Sequence, residues 1–522
     1  MIREISRQKC LRLWLCKPEY MKRTKWENRF VLLRFRKKNY MMFLKDLKRF
    51  KMERLYDKLK AYSESDFYAF HMPGHKRNKA LLGIELPYDL DITEIDGFDD
   101  LHHADGILKE EQERAARVFG AEESHFLVNG STAGILSAVM GCTHRGDKIL
   151  VARHCHKSIY HAIYMNGLVP RYVYPEFDIS MHMNGEISKE DVAKALAAEP
   201  DIKAVVIVSP NYDGVVSDVK GIAEVAHSYR IPLIVDEAHG PHFGFHPAFP
   251  GRANDLGADV VINSLHKTLP SLTQTAILHI NGKIVNRRRI KKYLDMLQSS
   301  SPSYIFMASL DACVDFVDGK CENAFELYVE RLQKFREELK PLQHLQILRT
   351  EHYDISKVVI STANANITSP ELADRLRKEY HLEMEMTGGT YVLAMTTVAD
   401  TQEGLNRLKA ALLEIDDQLE AKTAVSGSIE ISGELPRLEQ YFTPQEAADR
   451  EEDGEAEEIP WKESEGHISL EYAYLYPPGS PVIVPGERIS REAVELLCYY
   501  ETQNLQIEGI QTEGKIKVWK HE

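Results

Sequence analysis

From about residue 115 onward the chain alternates between short runs rich in Val and Ile and segments of helical period. No other feature restricts the fold as much. The runs fall at 125–128, 148–152, 204–209, 232–236, 259–263 and 276–280. Between them, 133–142, 158–166, 189–198 and 219–229 are each long enough for a helix. Strands that are apolar on both faces must be covered on both sides, which predicts a mostly parallel sheet sandwiched by helices. The expected class is α/β, doubly wound. Ligands of such sheets sit beyond the carboxyl ends of the strands, so the residues after each run are where chemistry is sought.

Past residue 311, two long helical stretches, apolar runs at 358–361 and 391–395 and a helix at 401–419 read as a smaller α+β domain. Residues 446–465 are dominated by Glu and Asp and read as a solvated linker or exposed loop. With 43% hydrophobic and 28% charged residues the chain has the composition of a globular protein, and no apolar stretch is long enough for a membrane span. Seven cysteines without a Cys-x-x-Cys pair suit a reducing, cytoplasmic setting better than a disulfide framework or zinc site. Charge is unevenly spread. Residues 1–51 carry 17 basic and 4 acidic residues, a net of +13, whereas the remainder has a net of −27. The head reads as a nucleic-acid arm or as sequence upstream of a true start at Met52, where an amphipathic helix opens; the second reading is the expectation, and nucleic-acid binding is not.

Four strand ends carry chemistry. Asn129-Gly130-Ser131-Thr132-Ala133-Gly134 opens a helix with small residues and hydroxyls, a phosphate cup or simply an N-cap. Asp236-Glu237-Ala238-His239-Gly240 ends a buried strand with a carboxylate that needs a cation, or else caps a loop; Ala238 leaves room for a flat group. Ser264-Leu265-His266-Lys267-Thr268 places a lysine beyond an apolar strand, solvated or else desolvated and able to form a Schiff base. His154-Cys155-His156-Lys157-Ser158 has two histidines but no supporting ligand cluster, and no metal site is expected.

Together with Phe70-His71-Met72-Pro73-Gly74-His75-Lys76, Asp91-Ile92-Thr93-Glu94, Asp99-Asp100-Leu101-His102, Ser300-Ser301-Pro302-Ser303-Tyr304 and Tyr476-Pro477-Pro478-Gly479-Ser480-Pro481, these motifs resemble the ornithine/lysine/arginine decarboxylase family. The form resembled is the short one without an N-terminal wing domain, among fold-type I pyridoxal-phosphate enzymes. The resemblance covers roughly residues 52–515. It implies a division into an N-terminal arm (52–115), a cofactor-binding large domain (116–320), a small α+β domain (321–425), an acidic linker (426–466) and a C-terminal module (467–522). It implies that Lys267 holds the cofactor aldehyde as a Schiff base and that Asp236 pairs with the pyridine nitrogen. His156 stacks on the ring opposite Ala238, and Ser131 and Thr132 bind the phosphate with help from Ser264 and His266. His266 or Lys267 returns a proton after CO2 leaves. Ser301 and Ser303 lie near the phosphate of a neighbouring subunit, which implies a homodimer or higher homo-oligomer. Ser480 stands where the family has a small apolar residue.

A basic amino acid requires an acidic receptor for its distal cation; Glu94, Asp96, Asp99, Asp100 and Glu471 are the candidates. The resemblance places arginine first, giving agmatine for polyamine metabolism, then lysine, then ornithine. An aminotransferase on this fold would need an arginine in the small domain, and the strand expected to carry it, 391–395, has none. A catalytically inactive homologue is disfavoured by the presence of Lys267, Asp236 and His156.

Overall fold

The computed structural model describes residues 54–178, 183–421, 434–475, 479–502 and 505–521, so the basic head, the Met52 start and Tyr476-Pro477-Pro478 lie outside it. Two helices, α1 (Leu55–Ser63) and α2 (Ile107–Val118), flank an arm with little regular structure. The large domain then runs β1 (Glu123–Leu127), α3 (Gly130–Cys142), β2 (Lys148–Ala152), α4 (Lys157–Met165), β3 (Val169–Val173), α5 (Lys189–Ala198), β4 (Val205–Val208), α6 (Val219–Ser228), β5 (Leu233–Asp236), β6 (Val260–Asn263), the single turn α7 (Leu265–Thr268) and β7 (Ala276–Ile280).

These strands form one seven-stranded sheet in the order β1-β7-β6-β5-β4-β2-β3. The β2–β3, β2–β4, β4–β5 and β5–β6 pairs are parallel; β7 runs antiparallel to both β6 and β1. Every residue of β4, β5 and β6 is buried, the consequence of helices on both faces. The six expected runs all become strands. β3 was not among them, because Val-Pro-Arg-Tyr-Val carries a proline; at the sheet edge, with only β2 as neighbour, the missing donor is tolerated.

Helix α3 starts earlier than its apolar period suggests. Gly130 takes a positive φ of 74°, which turns the chain sharply from β1 into the helix. At Gly134 a Cβ would lie 2.6 Å from Leu127 Cδ1, so only glycine lets α3 lie this close to the sheet. The helix N-terminus is thereby brought to the carboxyl edge, beside the ends of β5 and β6.

After α8 (Arg287–Leu297), α9 (Tyr304–Val317) and α10 (Glu322–Glu338), the small domain builds a four-stranded antiparallel sheet on β8 (Lys357–Ser361) and β9 (Tyr391–Met395), with α11 (Ser369–Tyr380) and α12 (Gln402–Asp416) packed in the same core. Of the expected linker, residues 434–466 are described, and they are folded. Among those described, α13 (Pro444–Glu452) begins with a complete Thr443–Glu446 capping box, and β10 (Ala456–Pro460) pairs along its length with Lys515–Trp519. The acidic side chains face solvent while Ala447 and Trp461 are buried, so charge on one face masks an ordinary folded segment. Among the described residues no helix is long and apolar enough to cross a membrane.

Candidate active site

The ends of β5 and β6, the N-terminus of α3 and the start of β8 meet in one place. Asp236 closes β5, is 3% exposed, and accepts a hydrogen bond from the Ala238 N–H at 3.1 Å. Burial raises its carboxyl above the ordinary value, and Lys267 pulls it part of the way back. Lys267 follows β6 on α7. Burial lowers its amine below the ordinary value, against the pull of Asp236 and Glu385.

Lys267 Nζ lies 2.9 Å from His239 Nε2, and on the far side of that ring Lys357 Nζ lies 3.0 Å from Nδ1. Lys357 opens β8 and is fully buried; burial brings its amine down to about 8. Burial, then the two lysines, push His239 well below its ordinary value, so the ring is neutral. A second bridge runs alongside. His242 Nε2 lies 3.2 Å from Asp354 Oδ1 and its Nδ1 lies 3.0 Å from Thr268 Oγ1. Because a carboxylate only accepts, His242 Nε2–H donates to Asp354. The short segment Asp354–Lys357 thus reaches both Lys267 and its neighbour through two histidines of Asp236-Glu-Ala-His239-Gly-Pro-His242.

The remaining expected residues divide. His156 caps α4 with its own ring: Nδ1 accepts from the Ser158 N–H at 3.2 Å and pairs with Ser158 Oγ at 2.9 Å. Burial, then Lys267, lower it to about 4, which keeps the ring neutral and its plane fixed. His154, two residues before, is buried with Nδ1 unpartnered. Ser131 Oγ and Ser264 Oγ hydrogen-bond to each other, joining α3 to the end of β6, and no side chain caps α3. Thr132 is exposed in the first turn and Ala238 is buried. His266 Nδ1–H donates to the Thr275 carbonyl at 2.8 Å, leaving Nε2 as acceptor. Ser303 caps α9, and Ser301 is exposed on the loop before it.

Three of the acidic candidates are engaged within the fold. Asp99 accepts from the N–H groups of Asp105, Gly106 and Leu108, Asp100 from that of His102, and Glu471 from those of Gln511 and Lys517. Glu94 and Asp96 are exposed on the arm. The carboxylate that acts electrostatically on both Lys267 and Lys357 is instead Glu385, which accepts from Tyr212 O–H, while the Tyr212 ring packs 4.6 Å from His239. Sequence reasoning missed His239, Lys357 and Glu385. The Asp-x-x-His spacing after β5 was visible; the two small-domain residues are brought in only by tertiary packing.

The Orn/Lys/Arg decarboxylase major domain matches residues 53–365, and the C-terminal domain of the same family matches residues 433–514. The chain belongs to the Orn/Lys/Arg decarboxylase family. A Bacillus subtilis arginine decarboxylase is 33% identical over 471 residues, 87% of this chain and 95% of that one. A Pseudomonas aeruginosa lysine decarboxylase is 25% identical, over 83% of this chain and 73% of its own length. The solved Escherichia coli constitutive lysine decarboxylase shares the fold with a TM-score of 0.77 at 21% identity, covering 89% of this chain and 82% of that one. The second match begins at residue 433, in agreement with the folded segment found where a linker was expected.

Membership of this decarboxylase family implies pyridoxal phosphate, and the residues fit its demands. A buried carboxylate that, among the described residues, has no cationic side chain in hydrogen-bonding contact suits a protonated pyridine nitrogen. A helix N-terminus without a side-chain cap, flanked by Ser131, Thr132 and Ser264, suits a phosphate. A buried amine of lowered basicity suits an aldehyde.

Proposed function

We propose that the chain is a pyridoxal-phosphate-dependent arginine decarboxylase that releases CO2 and agmatine. The observation that carries this reading is the meeting of Lys267 and Asp236 at the sheet's carboxyl edge, in a chain whose match to an arginine decarboxylase runs nearly end to end. Lys267 would hold the cofactor, Asp236 would pair with its ring nitrogen, His156 and Ala238 would flank the ring, and Ser131, Thr132, Ser264 and His266 would hold the phosphate. When bound, the cofactor supplies an electron sink for the pair left as the Cα–carboxylate bond breaks.

The chain's own groups do the rest. The fixed, neutral His156 ring gives a flat wall that restricts substrate rotation. Burial around Lys267 excludes water from the departing carboxylate. Lys267 and His266 are the groups available to return a proton to Cα, His266 through the Nε2 that its bond to Thr275 leaves free.

A second copy of the chain would complete the site. Phe67, Tyr68, Phe70 and Met72 on the arm are 64–89% exposed, an apolar strip that suits a homodimer, and Ser301 and Ser303 would then reach the partner's phosphate. The five cysteines among the described residues are free, in keeping with a cytoplasmic enzyme. Arginine, lysine and ornithine supplied separately with pyridoxal phosphate test the reading through CO2 and product amine. Arginine is expected to turn over fastest; faster turnover of lysine or ornithine would reassign the substrate, and no CO2 from any of the three would overturn the proposal.

A further inference from the structure

The row Lys267–His239–Lys357 has an unusual property: two amines face opposite nitrogens of one buried neutral imidazole. A neutral imidazole has one N–H donor and one acceptor. If Lys357 is the ammonium, it donates to Nδ1, the ring proton sits on Nε2, and Nε2–H donates to the lone pair of a neutral Lys267. If Lys267 is the ammonium, it donates to Nε2, and Nδ1–H points at the lone pair of a neutral Lys357. With both amines charged the ring proton has no acceptor, and two ammonium groups share one buried site.

We infer that Lys357 is a positioning residue that takes the proton of Lys267 by way of His239, so that Lys267 meets the cofactor aldehyde as a free amine. The inference rests on Lys267 being the cofactor lysine. The exchange balances. One proton passes from Lys267 Nζ to His239 Nε2 as the proton on Nδ1 passes to Lys357 Nζ, and the imidazole ends neutral in its other tautomer.

Three carboxylates face Lys357, Asp354 and Glu385 from the small domain and Asp213, which accepts from Tyr391 O–H, from the large domain; burial and the charge of Lys267 act against them. Lys267 has Asp236 and Glu385 opposite it, but Asp236 is the carboxylate committed to the pyridine nitrogen, and His156 and His266 are neutral neighbours. Geometry sets Lys357 back from Lys267: it is fully buried, and His239 stands between the two amines.

The test measures how fast the cofactor-free full chain captures pyridoxal phosphate on Lys267. The adduct is trapped with borohydride and quantified by mass spectrometry from pH 6 to 10.5. Lys357→Met removes the proton acceptor, and the capture midpoint is expected to rise by about one pH unit, roughly tenfold slower capture near neutrality, because the neutral fraction of Lys267 falls. At the alkaline end, where Lys267 is neutral in either chain, the rates should converge. Lys357→Arg, always protonated, mimics Lys357 after the proton has been taken: it keeps a charged donor to Nδ1 and is expected to restore the parent midpoint. A Lys357→Met profile that coincides with the parent's overturns the inference. A uniform loss at every pH that Lys357→Arg does not repair overturns it as well, since that is the mark of a packing role. If the parent chain captures nothing on Lys267, the cofactor reading itself fails and the inference falls with it.

Discussion

Two clusters of buried charge are built on opposite rules. At the carboxyl edge of the sheet, Lys267 and Lys357 stand either side of a neutral His239, two amines held apart by one ring, with Asp236 nearby but outside their hydrogen bonds. At the seam with the C-terminal domain, Arg153 at the end of β2 pairs with Glu487 at 2.9 Å, both wholly buried, and also donates to the Val482 carbonyl at 3.0 Å. There opposite charges cancel, and the guanidinium lies 4.7 Å from the Tyr172 ring centroid. Burial alone therefore does not mark a reactive site. What separates the two is pairing: the seam neutralises its charge internally, whereas the carboxyl edge leaves a buried acid and a weakened base open to an incoming molecule.

The comparison breaks most sharply at Lys267. Lys267→Ala is expected to abolish covalent capture of pyridoxal phosphate while leaving the urea unfolding midpoint close to the parent's, because an uncompensated amine is removed. Trapping followed by mass spectrometry checks the first part and circular dichroism the second. At the seam the pattern reverses. Arg153→Met strands Glu487 and is expected to lower stability by about 3–5 kcal/mol, whereas Arg153→Met with Glu487→Leu recovers most of the loss. Chemical denaturation measures both, and equal losses in the single and double variants would contradict the contrast. Asp236→Asn should lower kcat by about 10²–10³-fold, with stability unchanged or raised since a buried carboxylate is neutralised.

The smallest effect is in acid. His154 at the seam and His156 at the site are both held by burial to about 4, against an ordinary value near 6.5. Between about pH 6.5 and 4 the unfolded chain binds more protons at these rings than the folded one, so stability falls as pH drops through that window. Replacing either His with Asn should flatten the slope of urea midpoint against pH by a similar amount, which would show that acid sensitivity, unlike reactivity, is shared by both clusters.

How much of this was legible beforehand follows from locality. The parallel core declared itself because strands buried on both faces must be apolar throughout, as Val205–Val208 and Val260–Asn263 are. Asp236, Lys267, Ser131 and His156 were legible because each lies at the carboxyl end of an apolar strand or just beyond it. Lys357 was not: in sequence it is one lysine at the head of an apolar run, and only the packing of the small domain turns it towards His239. The arginine that an aminotransferase would need was sought on Tyr391–Met395 and is absent there; the buried Lys357 sits on the paired strand Lys357–Ser361. Nor were the hydrogen bonds of Asp99 and Glu471 legible, since they come from backbone groups with no signature in composition.

The central claim, that Lys267 anchors a decarboxylation of arginine, is tested most directly by mass balance on carboxyl-labelled arginine with pyridoxal phosphate present. The account predicts one labelled CO2 and one agmatine for each arginine consumed by the parent chain, and neither from Lys267→Ala. Retention of the label in a keto acid, with the amino group transferred instead of CO2 released, would contradict it.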